Sequence, residues 1–247
     1  MTPAARKRSK APIADDRTPA ARADDAVAAL RRLATKKYLA GMPRFALPTE
    51  RAFGVPMGAI QKLAKRLGRD HALAEALWAT EWYEARLLAS YVGEPERITS
   101  AQMDRWCRDF DNWGICDTVC FHLFDRSPHA FEKVRAWAGR RAEFERRASF
   151  ALLACLAFHD DGADDASFVA CLPLIESAAP DERNFVKKGV SWALRGIGHR
   201  NVELHEAAVA LARRLAESPE RAARWVGKDT LRDLTRPLVL RKVRARG

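Results

Sequence analysis

The 247-residue sequence is short of long hydrophobic runs, paired cysteines, strand-like alternation and acidic charge. The longest apolar run, Ala148 to Phe158, falls well below the ~20 residues that cross a bilayer. The N-terminus lacks the apolar core of a secretory signal, so the expected location is the cytoplasm. Five cysteines (Cys107, Cys116, Cys120, Cys155 and Cys171) sit mostly inside helical apolar patterns without paired spacing. That pattern predicts reduced core thiols and not a disulfide framework. Cys116, Cys120 and His122 are close in sequence, but a helix turns His122 away from the two sulfurs, so neither zinc nor any other metal is expected. No cofactor is expected either. β-Branched residues are scattered and alternation never lasts, which argues against a sheet.

The acidic deficit is the most informative shortage. Lys and Arg number 43 against 32 Asp and Glu, a net charge of +11 with a pI near 9.8. Such a balance favours a polyanionic partner, nucleic acid first and an anionic membrane surface second. Solubility alone is the plainer explanation. The length suits one large domain or two small ones with a substantial core. Nothing in it points to self-association, and a monomer is expected.

Residues 1–24, rich in Ala, Pro, Arg, Lys and Asp without apolar periodicity, read as a disordered basic tail containing Arg6-Lys7-Arg8-Ser9-Lys10. Residues 25–247 read as a single all-α domain. Its helices are predicted near 25–40, 56–67, 70–79, 81–92, 100–109, 113–125, 128–140, 143–159, 165–178, 182–197, 202–217 and 219–234, with a basic piece after Pro237. The second members of successive pairs begin near Glu81, Trp113, Glu143, Glu182 and Pro219. Intervals of roughly 30 to 40 residues are those of a HEAT-like helical solenoid. In such stacks the second helices line an inner, often concave surface, where function is expected and where a basic face would meet a polyanion.

Three inner helices carry unusual residues. In Asp109-Phe110-Asp111-Asn112-Trp113-Gly114-Ile115-Cys116-Asp117, either Asp111 or Asn112 can cap the helix that follows. Trp113 and Asp117, four apart, share one face, with Phe121 and Phe124 expected to bracket Asp117. A carboxylate beside an apolar stripe needs a cation or hydrogen bonds; it is either a structural ion pair or kept charged for a purpose. Arg147 stands in the early turns of a helix that is apolar almost all round. Trp192 points away from the Val186, Val190, Ala193, Ile197 core stripe, flanked by Lys188 and Arg195, with Gly189 leaving room beside its ring. That suits contact with a nucleic-acid backbone, or equally a ring packed at a repeat junction. From Arg221 onward nine Lys and Arg face only Asp229 and Asp233; Arg224, Lys228, Arg232 and Arg236 recur every four residues as one basic stripe. Such a stripe would bind phosphates salt-dependently, or merely be a solvated face.

In order along the chain, Tyr38-Leu39 with Phe53-Gly54-Val55-Pro56, Asn112-Trp113-Gly114-Ile115-Cys116-Asp117, Arg146-Arg147-Ala148 and Lys187-Lys188-Gly189-Val190-Ser191-Trp192-Ala193-Leu194-Arg195 resemble the motifs of the AlkD-type DNA alkylation repair glycosylases. The similarity covers roughly residues 30–245. This family folds as a solenoid of HEAT-like repeats. The resemblance implies removal of cationic N3- or N7-alkylated purines from double-stranded DNA by hydrolysis of the N-glycosidic bond. It makes Asp117 the catalytic carboxylate, Trp113 and Trp192 aromatic walls at the deoxyribose, and Arg147 the cation that engages DNA and orients the carboxylate. Tyr38 becomes a backbone contact, and Lys187, Lys188, Arg195, Arg224, Lys228 and Arg232 the wider DNA-binding set. Two features depart from the family pattern: Gly114, where an acidic residue is frequent, and a longer interval between Arg147 and Trp192, expected to be absorbed by an Asp160–Asp165 loop. A non-catalytic HEAT-like protein that binds damaged or branched DNA, and a protein-interaction scaffold, are the alternatives.

Overall fold

The computed structural model describes residues 17–246, so most of the expected tail, including Arg6-Lys7-Arg8-Ser9-Lys10, lies outside the described residues. The helices are α1 (Pro19–Arg32), α2 (Lys36–Gly41), α3 (Met57–Leu67), α4 (His71–Ala79), α5 (Tyr83–Val92), α6 (Ser100–Arg108), α7 (Trp113–His122), α8 (Ala130–Trp137), α9 (Glu143–His159), α10 (Asp165–Val169), α11 (Leu172–Ala178), α12 (Asn184–Gly198), α13 (Val202–Ala216), α14 (Arg221–Leu234) and α15 (Pro237–Arg244). No strand occurs among the described residues, and no described helix is long and apolar enough to cross a membrane.

Capping chemistry sets most boundaries. Side-chain oxygens of Thr18, Thr35, Asp70, Thr99, Asn112, Asp164 and Asn201 each accept a first-turn N–H. Thr18 with Pro19 starts α1 six residues before the predicted Asp25, so residues 19–24 belong to the fold and not to a tail. Thr35 likewise divides the single helix expected at 25–40, because its hydroxyl caps α2 while its N–H reaches Gly54 O at 2.9 Å. The helix expected at 165–178 divides before Leu172-Pro173, where proline has no N–H to continue the ladder.

The second helices of the pairs begin at Tyr83, Trp113, Glu143, Asn184 and Arg221 and stack in series, α5 on α7, α7 on α9, α9 on α12 and α12 on α14. Partners α4, α8, α11 and α13 pack behind them. Within α9, Phe150, Leu152, Leu153, Cys155 and Leu156 are buried, since this helix is covered by α7, α8 and α12. All five cysteines are buried free thiols. Trp78 and Trp106 stack with centroids 4.0 Å apart, and Phe124 joins Trp106 and Trp137 in the same cluster. Phe124 therefore faces the core and does not bracket Asp117: α7 ends at His122, and the tighter turn over Phe124–Arg126 swings its ring inward.

Polar contacts repeat at the period of the fold. His71 meets Gln102 at 2.9 Å, Trp78 Nε1 donates to Asp109 at 2.8 Å, Lys133 Nζ donates to Asp104 at 2.7 Å and Ser191 Oγ donates to Asp229 at 2.6 Å. Each joins one repeat to the next. The carboxylate of Glu84, fully buried, accepts the backbone N–H groups of Phe53, Gly54 and Val55 at 2.7–3.1 Å. It thereby fixes the segment that precedes α3.

Where α13 and α14 cross, a Cβ on Gly227 would lie 2.6 Å from Ala212 O and nearer still to the backbone of Ala216. A helical Gly→Ala change ordinarily stabilises by about 0.8–1 kcal/mol. Here the helices must part, so Gly227→Ala should instead cost about 1–3 kcal/mol, read as a lower midpoint in thermal or urea unfolding.

Candidate active site

Asn112 supplies the cap of α7, its Oδ1 accepting Ile115 N–H at 3.0 Å, which places Trp113 in the first turn and Asp117 one turn later on the same face. Across the α7–α9 contact, Arg147 Nε donates to Asp117 Oδ1 at 2.8 Å and Nη2 donates to Oδ2 at 2.7 Å. The two parallel bonds fix both planes. The remaining arm, Nη1, donates to Phe185 O on α12 at 2.6 Å. Three inner helices are thus tied at one guanidinium.

The electrostatics follow from burial. Asp117 retains 19% side-chain exposure and Arg147 only 8%, so Asp117 is the less buried member of the pair. Burial pushes the Asp117 carboxyl above the usual range, and the charge and hydrogen bonds of Arg147 act against that shift. Arg147, though buried, is held above its ordinary value by the Asp117 charge. A buried bidentate pair of this kind is costly to break from either side.

The indoles stand on two of the helices that the pair ties together, α7 and α12. Trp113, half-buried, donates Nε1–H to Phe45 O at 2.7 Å, so its ring is held by the segment before α3. Trp192, also half-buried, falls on the α12 stripe of Phe185 and Gly189, the residues that meet Arg147. A Cβ at Gly189 would sit 3.5 Å from Arg147 Cγ and 3.6 Å from Phe150 Cβ, an ordinary approach. At Gly114 space is much tighter, since a Cβ would come within 2.6 Å of the Tyr83 hydroxyl and 2.8 Å of Leu47. The departure from an acidic residue at this position thus has a packing cause.

The candidate DNA contacts divide into two groups. Tyr38, Lys188 and Lys228 present exposed side chains, Tyr38 at 37%. Others are engaged within the protein. Lys187 Nζ lies 5.0 Å from the Trp225 ring centroid. Arg224 donates to Ser218 O at 2.7 Å, capping the turn before its own helix. Arg195 stands 3.9 Å from Asp229, which Arg232 also engages, and Arg236 pairs with Asp233 at 3.3 Å. Of the stripe Arg224, Lys228, Arg232 and Arg236, the last two are thus paired with acids three positions earlier and the first with backbone carbonyls, while Lys228 is exposed. Phe185 and Phe45 were not recognisable as site residues, because both act through carbonyl oxygens that any residue carries. The loop expected at Asp160–Asp165 is present between α9 and α10, where Asp160 Oδ1 accepts Ala163 N–H at 2.9 Å. Among the described residues no group of His, Cys, Asp and Glu is placed to hold a metal.

Truncating Arg147 leaves Asp117 as an unpaired, mostly buried charge. Arg147→Ala should cost about 3–5 kcal/mol of stability. Arg147→Lys, which keeps the charge but not the fork, should recover part of that loss. Chemical denaturation of the three proteins side by side measures both.

Among curated proteins none matches the sequence. A solved structure described as "A new family of proteins related to the HEAT-like repeat DNA glycosylases with affinity for branched DNA structures" shares the fold with a TM-score of 0.69. Identity is 20%, and the match covers 85% of this chain and 94% of that one. Residues 26–236 match the family described as DNA alkylation repair enzyme, and with that span of the chain matched, the protein belongs to this family.

Proposed function

We propose that this family member is a DNA glycosylase that hydrolyses the N-glycosidic bond of cationic N3- or N7-alkylated purines in duplex DNA, with Asp117 as its catalytic carboxylate. The observation that carries the reading is Asp117 held by the fork of Arg147, with Trp113 one turn earlier on the same face of α7 and Trp192 on the α12 stripe that meets Arg147.

An alkylated purine already bears positive charge, so its departure needs no strong general acid. The demand is at the sugar, where positive charge grows as the bond to the base breaks. A carboxylate held rigidly at that point stabilises the charge without reorganising. Arg147 fixes the direction of Asp117, and its charge and hydrogen bonds oppose the upward push of burial on the carboxyl. The same carboxylate can position the attacking water and accept its proton. Electron-rich indole faces favour a cationic sugar by about 0.5–2 kcal/mol per contact. Tyr38, Lys188 and Lys228 serve the phosphate backbone, which makes affinity fall with salt. The chain acts as a monomer in this reading, and its expected cytoplasmic location is part of the proposal.

The structural neighbour's printed affinity for branched DNA motivates a second reading, a non-catalytic DNA-binding protein. Retention of the clamped carboxylate together with both indoles favours catalysis, because binding a polyanion gains nothing from a buried anion.

Asp117→Asn should lower release of 7-methylguanine and 3-methyladenine from methylated duplex by at least about a hundredfold. DNA affinity should be equal or higher, since a negative charge is removed. Base release at the wild-type rate by this variant would sink the assignment. In the wild type, protonation removes the reactive form, so the rate should fall on acidification at a pH above the ordinary aspartate value of about 3.9. A pH profile of single-turnover base release tests the sign.

A further inference from the structure

A second recess lies beside the proposed reaction site and is not used by it. It has a volume of about 320 Å³ and is walled by Lys37, Tyr38, Met42, Phe45, Leu47 and Pro56. Its surface is mainly apolar, and two of its lining rings are exposed, Phe45 at 66% and Tyr38 at 37%. An exposed ring of that size, held in a defined place, is unusual for a surface that only has to stay soluble. The short 3-10 turn Met42–Phe45 and the left-handed Ala46 (φ 53°) present it.

Two contacts make this recess continuous with the Asp117 site. Phe45 O accepts the indole N–H of Trp113 at 2.7 Å. Leu47 occupies the space that a side chain at Gly114 would need. The pocket and the first turn of α7 therefore share a wall. The charge around it is one-sided, since the stretch from Thr35 to Pro48 contains Lys36, Lys37 and Arg44 and no acidic residue. All three cations are exposed.

We infer that this recess takes an unpaired nucleobase of the bound DNA, stacked on Phe45 with its phosphates met by Lys36, Lys37 and Arg44. The inference rests on the DNA-directed reading above and extends it to a second nucleotide. A flat aromatic ligand tethered to phosphates matches apolar walls, an open ring face and cations at the rim. An apolar peptide side chain would use the walls but leave the cations without purpose. Occupation of the recess would also hold the Phe45 carbonyl, and through it the Trp113 ring, in place.

The test measures binding to unmodified DNA, so it does not depend on base release. Two duplexes are compared, one fully paired and one with a single unpaired 2-aminopurine. Wild type should bind the second about tenfold more tightly, the size expected for one base–aromatic stack, and should quench its fluorescence. Phe45→Ala, a change at an exposed side chain that leaves the carbonyl intact, should bring the two affinities within about twofold, and Phe45→Trp should restore the preference. An unchanged preference in Phe45→Ala overturns the inference, as does an equal loss on both duplexes. Displacement of the unpaired-base duplex by free 7-methylguanine, in wild type but not in Phe45→Ala, reassigns the recess to released product. Failure to bind either duplex removes the DNA-directed reading and this inference together, whereas failure of Asp117→Asn to block base release leaves the preference intact.

Discussion

The Asp117–Arg147 pair governs the inner layer. Two charges removed from water at the α7–α9 contact would ordinarily be a net cost. Here the loss is offset by a bidentate geometry and by a third bond to Phe185 O, so each guanidinium nitrogen of Arg147 donates to an oxygen. One consequence is mechanical: α7, α9 and α12 cannot slide independently without breaking a charge-assisted bond. Another is electrostatic, because Asp117 keeps more of its side chain exposed than Arg147 does. In the proposed reading, that side chain is what meets the positive charge growing at the sugar.

The same logic of linking one repeat to the next recurs where no chemistry is expected. Asp104, reached by Lys133, Trp137 and Arg140, has its carboxyl kept below the usual range by those partners despite burial. Asp233 is lowered by His199 and its neighbouring arginines. Asp117 differs in sign, for burial outweighs its single cation. That contrast separates a well-compensated structural carboxylate from one left partly uncompensated, and the second kind has free energy to gain from an incoming positive charge.

Much of this was legible in the chain. The 30–40-residue interval gave the starts of the inner helices to within a few residues, because each begins where an apolar period resumes after a polar break. Trp113 and Asp117 were placed on one face by their spacing alone. The pairing of Asp117 with Arg147 was not, since thirty residues of separation carry no local signal; it came only from the resemblance. Helix ends at Thr35 and before Pro173 were missed where a cap or an absent N–H interrupts an apolar pattern that otherwise continues. The α14 stripe looked more basic than it is because Asp229 and Asp233 were counted against the total charge and not against Arg232 and Arg236 one turn away. Gly114 read as a departure; the hydroxyl of Tyr83 and the side chain of Leu47, both distant in sequence, make it a requirement of packing.

The N-terminal segment reaches Trp113 through a series of contacts to backbone. Glu84, wholly buried, grips the backbone at Phe53, Gly54 and Val55, and Gly54 O in turn accepts the N–H of Thr35 at the start of α2. From α2 the chain runs directly through Met42–Phe45 to the carbonyl that anchors Trp113. Each link is a hydrogen bond to backbone, which fixes position more firmly than side-chain packing does, because the backbone has no rotamers to exchange. The orientation of one indole near Asp117 is thus tied to a carboxylate on α5. This explains why a helical stack needs an irregular segment at its N-terminal end: a regular inner layer supplies the anion and its cation, while the ring beside them has to be held from outside the layer.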